Sequence, residues 1–249
     1  MIRTILGFAV AVIFLVIGIF VLLVETIRAK RNKEASDLRC LRMVQRAFRV
    51  ICGICRVKLE VRGEEHVPKD EAVFYVANHC SWFDILLTYS RVPNLTGYVA
   101  KDDIERVPLL SNWMRRLHCL FMSRTDMRAA LKTILAGVEE LKNGVSVFIF
   151  PEGTRNKNPR EKVIGEFKDG AFKMATKAGC KVVPVAISNT RDIFENHLPF
   201  VKTAHVIIEY LEPVDIAALE AEDKKHPGRY FQAVIAERLI DHREMGNNK

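Results

Sequence analysis

The stretch Asn78-His79-Cys80-Ser81-Trp82-Phe83-Asp84 follows an unbroken apolar run, VFYVA, and holds an imidazole and a carboxylate five residues apart. Within one straight helix that offset would separate the two side chains by about 140°. Across a turn that leaves a strand and enters a helix, Asp84 can instead fold back onto His79. An aspartate bonded to one ring nitrogen fixes the tautomer and leaves the other nitrogen free as a base. Imidazole changes charge near neutral pH, so a ring held this way can accept a proton. The pair therefore suits deprotonation of a hydroxyl as it attacks a carbonyl. A lone histidine is more often structural, so the pairing carries the reading. Ser81 lies in the same stretch, but no G-x-S-x-G elbow surrounds it, and direct transfer is expected rather than an acyl-enzyme.

A second stretch, Phe150-Pro151-Glu152-Gly153-Thr154-Arg155, ends the apolar run VSVFIF. Gly153 and Thr154 permit a tight turn with exposed amides, and Arg155 supplies a planar fork matched to phosphate oxygens. Taken alone, such a turn is also compatible with an ordinary loop carrying a surface ion pair. Arg124, after LFMS, and Lys101, after TGYVA, are further cations at apolar-run ends. Each singly reads as a solvated charge. With Arg155 they offer the positive charge that a phosphomonoester of about −1.5 to −2 would require.

These residues need elements to position them. Short β-rich runs at 57–61, 73–77, 96–100, 119–123, 145–150, 182–187 and 205–211 alternate with helical stretches at 83–90, 109–117, 126–142, 168–178 and 229–243. Asp126 is placed to cap its helix and Asn143-Gly144 to stop it. Such alternation predicts an α/β fold with a largely parallel central sheet flanked by helices. In such sheets, sites form where loops leave the carboxyl ends of strands. The His79, Arg124 and Glu152 stretches all follow strands and are expected to converge there.

Ahead of this layer, residues 5–24 contain no charge, and twenty helical residues match the roughly 30 Å of a bilayer's hydrocarbon core. The run passes straight into Glu25, Arg28, Lys30, Arg31 and Lys33 without an A-x-A-like cleavage site, whereas only Arg3 precedes it. The positive-inside rule then puts the rest of the chain on the cytoplasmic face. Residues 37–58 project as a basic amphipathic helix, with Arg39, Arg42, Arg46, Arg49 and Arg56 opposite an apolar half. It is expected to lie in the membrane interface, the alternative being a helix packed on the catalytic layer. The organisation expected is a membrane-associated two-helix segment over 1–58 and a catalytic α/β domain over 59–249.

Over the 249 residues, a net charge of +8 favours an anionic partner: nucleic acid, an acidic membrane face or a phosphorylated substrate. Neither zinc-finger spacing nor an aromatic–glycine RNA-binding signature is present, which moves nucleic acid behind the other two. Six scattered cysteines read as buried, reduced thiols, and the Cys52/Cys55 pair lacks the second pair a zinc site would need.

Together these blocks resemble the 1-acylglycerol-3-phosphate acyltransferase family, the lysophosphatidic acid acyltransferases. Asn78-His79 through Asp84 is similar to that family's N-H-x-x-x-x-D motif, Phe150–Arg155 to its F-P-E-G-T-R block, and Val183-Pro184-Val185-Ala186-Ile187 to its proline-bearing block. The second block keeps Phe121 and Arg124 but has His118 and Ser123 where the family usually carries a glycine and an acidic residue. The resemblance covers about residues 57–210. It implies the glycerolipid acyltransferase fold, and acyl transfer from acyl-CoA or acyl-carrier protein to the 2-hydroxyl of lysophosphatidic acid, giving phosphatidic acid. His79 and Asp84 would be catalytic. Arg155, Arg124 and Lys101 would hold the acceptor phosphate, Glu152 would order the turn, and Glu152, Gly153 and Thr154 would complete the phosphate-binding site. No metal or cofactor is implied. A different acceptor (a lysophospholipid or glycerol 3-phosphate), thioester hydrolysis and a non-catalytic membrane-binding scaffold are the competing readings.

Overall fold

The computed structural model describes residues 1–247. Two long helices, α1 (Ile2–Ala29) and α2 (Lys33–Ile54), precede the first strand, β1 (Lys58–Arg62). There follow β2 (Phe74–Ala77), α3 (Trp82–Tyr89), β3 (Thr96–Lys101), α4 (Leu110–Arg116), β4 (Leu120–Met122), α5 (Met127–Lys142) and β5 (Ser146–Ile149). The chain ends with α6 (Lys173–Ala178), β6 (Val182–Ser188), β7 (His205–Tyr210), α7 (Ala221–Lys225) and α8 (Pro227–Asn247). The seven expected strands are all present. The helix expected over 168–178 is split, with a 3-10 turn at Asp169–Phe172 leading into α6. Asp126 caps α5 as expected, accepting from the amides of Arg128 and Ala129.

The strands form one sheet in the order β1-β7-β6-β2-β5-β3-β4. Every neighbouring pair is parallel except β6–β7. The three central strands, β6, β2 and β5, are buried along their whole length. Burial on both faces explains why they read as continuous apolar runs rather than alternating ones. Along β2, Tyr75 and Ala77 join the core shared with α2, α3 and α4, whereas Phe74 and Val76 join that of α6 and α8.

The N-terminal hairpin lies on the first of these faces. Asn32 caps α2, its side chain accepting from the Ala35 amide at 2.9 Å. The apolar half of α2 does not face outward as expected. Cys40, Leu41, Val44 and Ile51 are buried in one core with Phe83, Leu87 and Tyr89, so α2 is built into the domain. An amphipathic pattern reports that a helix has an apolar partner without saying whether the partner is lipid or protein. Arg39, Arg42, Arg46 and Arg49 stay on the outside.

At 28 residues, or about 42 Å, α1 is long and apolar enough to cross a membrane. Both its ends nevertheless touch the domain. Thr4 Oγ1 accepts from the Val201 amide and Arg3 donates to Thr203, while the Glu25 end contacts Arg116. Midway, Gly18 lies against Trp113; a β-carbon there would sit 2.4 Å from the indole nitrogen, so the close approach requires glycine. One side of α1, with Val10, Phe14, Leu15, Val21 and Leu22, packs on the core, and the opposite side is a bare apolar face with Phe8, Ile13, Ile17 and Phe20 exposed.

Candidate active site

Parallel pairing of β2, β5, β3 and β4 places the residues that follow them on a single sheet edge. Past β2 the chain turns through His79 and Cys80, and Ser81 caps α3 by accepting from the Phe83 amide. Asp84, in the first turn of α3, folds back as the spacing anticipated. Its Oδ2 lies 2.8 Å from His79 Nδ1 and also accepts from the amides of Cys80 and Ser81, each at 2.7 Å. Thr190 donates to Oδ1 at 2.5 Å. Four donors thus converge on a fully buried side chain, three on Oδ2 and one on Oδ1.

The arrangement assigns the tautomer of His79. Facing an acceptor, Nδ1 carries the proton, and the Nε2 lone pair is left available. Nε2 has no partner among the described residues, and the side chain retains 15% exposure. The ring stacks on Phe150 with centroids 4.1 Å apart and planes 19° apart, which holds its orientation from the β5 side.

The turn after β5 is wired directly to this pair. Glu152 Oε1 accepts from the His79 amide at 2.6 Å and its Oε2 from the Gly165 amide at 2.7 Å; Asn156 donates its amide to the His79 carbonyl at 2.7 Å. Burial pushes the Glu152 carboxyl above the usual range, partly offset by the His79 and Gly165 amides. Gly153 takes a φ of +69° in this turn, a conformation that favours glycine, and Thr154 follows it. Glu152 thus does more than order its own turn, because it fixes the backbone of the base.

Arg155 is also brought to the site, at 3.4 Å from Glu195 and with its guanidinium 4.4 Å over the Trp82 ring. Lys101 and Arg124 lie on the same edge but farther out. β3 and β4 are two and three places from β2, roughly 10 and 14 Å at about 4.8 Å per strand. Lys101 pairs with Asp103, Arg124 is exposed, and neither touches the His79 pair.

Further residues complete the site, and of these Glu195 carried no sequence signal. Asn78 bridges β2 to β6 through two hydrogen bonds with Ile187, at 2.8 and 2.9 Å. Glu195 accepts from the Ser81 hydroxyl at 2.7 Å and the Trp82 amide at 2.8 Å. Ser81 is fully buried in this cap, which fits direct transfer rather than an acyl-serine. The Cys80 thiol is pushed upward by burial, then by the charges of Asp84 and Glu152, so it does not act as a thiolate beside the histidine.

The departures in the second block lie away from the His79 pair. His118 stands at φ +59°, a conformation natural to the glycine usual at that position, at the opposite sheet edge before β4. Its Nδ1 is 2.9 Å from Glu140 and its Nε2 3.1 Å from Asp37, and Arg116 lies 3.1 Å from Asp37. Ser123 accepts from the Asp126 amide ahead of α5.

Known proteins resemble this chain in sequence and fold. The chain is 26% identical to a 1-acyl-sn-glycerol-3-phosphate acyltransferase of Borreliella burgdorferi, over 79% of this chain and 78% of that one. It is 30% identical to a probable enzyme of the same name from Mycoplasma pneumoniae, over 70% of this chain and 67% of that one. The crystal structure of the 1-acyl-sn-glycerophosphate (LPA) acyltransferase PlsC from Thermotoga maritima superposes with a TM-score of 0.82 at 26% identity, covering 97% of this chain and 95% of that one. The Acyltransferase family model matches residues 58–188, more than half of the 249, and spans both motif blocks that meet at His79: this chain is a member of the Acyltransferase family.

Proposed function

We propose that the protein transfers a fatty acyl group from an acyl thioester to the 2-hydroxyl of lysophosphatidic acid, forming phosphatidic acid. The observation that carries this is the His79–Asp84 pair, with Nε2 open to substrate and a phosphate-matched arginine on the turn hydrogen-bonded to the base. His79 Nε2 takes the hydroxyl proton as the oxygen attacks the thioester carbonyl. The Asp84 carboxylate steadies the imidazolium that forms. The tetrahedral intermediate collapses, the C–S bond breaks, and the sulfur leaves with the proton from His79, regenerating the neutral ring. Arg155 holds the acceptor phosphate with Gly153 and Thr154 beside it. Lys101 and Arg124, exposed farther along the edge, draw anionic lipid toward the site. The chemistry needs only the two substrates, with acyl-CoA or acyl-carrier protein as donor.

Both acceptor and product carry acyl chains, so the bare face of α1 gives this domain its attachment to membrane. The contacts at both ends of α1 support a helix lying along the domain and immersed in one leaflet, rather than one crossing the bilayer. The basic flank after α1 supports the cytoplasmic face.

The test compares acceptors with one donor. Oleoyl-CoA is offered to the detergent-solubilised protein with lysophosphatidic acid, glycerol 3-phosphate or lysophosphatidylcholine, and lipid products are separated. Phosphatidic acid formed from lysophosphatidic acid as the preferred acceptor is expected. Preference for either other acceptor would reassign the substrate, and acceptor-independent thiol release would make the enzyme a thioesterase.

A further inference from the structure

Three residues past the end of β6 lies Arg191, in a segment without a motif and outside the matched family region. β6 is the immediate neighbour of β2, about 4.8 Å away, on the side opposite β5. Arg191 thus stands nearer the base than Lys101 or Arg124 can. Its Nη1 donates to the Cys80 carbonyl at 3.2 Å and approaches that of Asn156 at 3.5 Å, and its Nε donates to Asn196 at 3.2 Å. The guanidinium therefore sits between the residue after His79 and the residue after Arg155.

The partners of this group are all neutral. Arg155 already shares its charge with Glu195, whereas Arg191 has no carboxylate partner and its Nη2 no hydrogen bond among the described residues. A half-buried guanidinium held only by carbonyl and amide oxygens keeps its charge uncompensated and its fork half used. Tying two loops together would not by itself require a cation. An anion completing the fork does.

We propose that Arg191 is a phosphate-binding, specificity-determining residue, forming with Arg155 a two-arginine clamp on the phosphomonoester of the acceptor. This rests on the acceptor reading above. Arg155 and Arg191 would grip that phosphate from the β5 and β6 sides of β2, with the 2-hydroxyl presented to His79 between them.

The experiment compares the wild type with Arg191→Gln, using oleoyl-CoA as donor and either lysophosphatidic acid or the uncharged monoacylglycerol as acceptor. The variant is expected to raise KM for lysophosphatidic acid by about tenfold or more while leaving monoacylglycerol turnover within about twofold. Arg191→Lys, which keeps the charge, is expected to recover part of the preference. Equal losses on both acceptors would make Arg191 a loop tie and overturn the proposal. A raised KM for oleoyl-CoA that disappears with its dephospho analogue would move the phosphate to the donor and also overturn it. In the wild type, glycerol 3-phosphate should protect Arg191 from phenylglyoxal, read by peptide mass mapping; an unprotected Arg191 overturns the clamp even if the glutamine variant does not fold. Protection without phosphatidic acid synthesis would leave the clamp standing and remove the acceptor reading alone.

Discussion

His79 and His118 lie at opposite edges of one sheet, each with a ring nitrogen within hydrogen-bond distance of a buried or part-buried carboxylate. At His79, four donors converge on a single buried aspartate, one ring nitrogen has no partner among the described residues, and part of the ring is exposed. At His118, both ring nitrogens are occupied, one by Glu140 of α5 and the other by Asp37 of α2. A third imidazole, His242, is filled likewise, by Ser188 and Glu209. A histidine–carboxylate pair is therefore no signature of catalysis. What separates base from staple is whether the second nitrogen still has a lone pair to offer and a path for substrate to reach it.

Replacing the open imidazole gives the largest expected effect. His79→Ala should lower turnover by at least about 10³-fold while the protein remains folded, because the side chain's polar contact is the single bond to Asp84. Asp84→Asn should lose about as much rate and also lower the melting temperature, since an amide nitrogen would face donors from Cys80, Ser81 or Thr190. A variant that kept its rate in either case would erase the distinction from His118.

His118→Ala should do the reverse, destabilising the protein while leaving turnover within about twofold. The effect has a sign in pH. Glu140, and with it Asp37, holds the His118 imidazolium above the usual histidine range against the pull of burial. A raised folded-state pKa contributes stability that is full below the unfolded value of about 6.5 and is lost as pH rises through the folded one. The melting-temperature gap between wild type and His118→Ala should therefore shrink from pH 6 toward pH 9. A gap that widened would mean His118 is buried neutral. Phe150→Leu should lower kcat by up to about tenfold, far less than replacing His79, as the ring loses its stacking partner.

The open pair was legible in the sequence because everything that makes it is local. A strand end, a capping serine and an aspartate one turn later fix the His79–Asp84 contact within six residues. The seven strands and most helices were legible for the same reason. Strand order was not. Nothing in the sequence says that β6 and β5 flank β2 while β3 and β4 lie farther out, and so Lys101 and Arg124 read as equals of Arg155. Thr190, Arg191 and Glu195 were invisible, because they reach the site over more than a hundred residues from a loop with no motif. The apolar half of α2 was visible but its partner was not, since lipid and protein core ask the same pattern of a helix.

The central claim is that His79 acts as the base of lipid acyl transfer. It is tested most directly by following thiol release from oleoyl-CoA, with and without lysophosphatidic acid, for wild type and His79→Ala side by side, with circular dichroism confirming equal folding. Acceptor-dependent release with phosphatidic acid as product in the wild type, and none above background in the variant, is the expected result. A folded His79→Ala protein that releases thiol at a near-normal rate would contradict it.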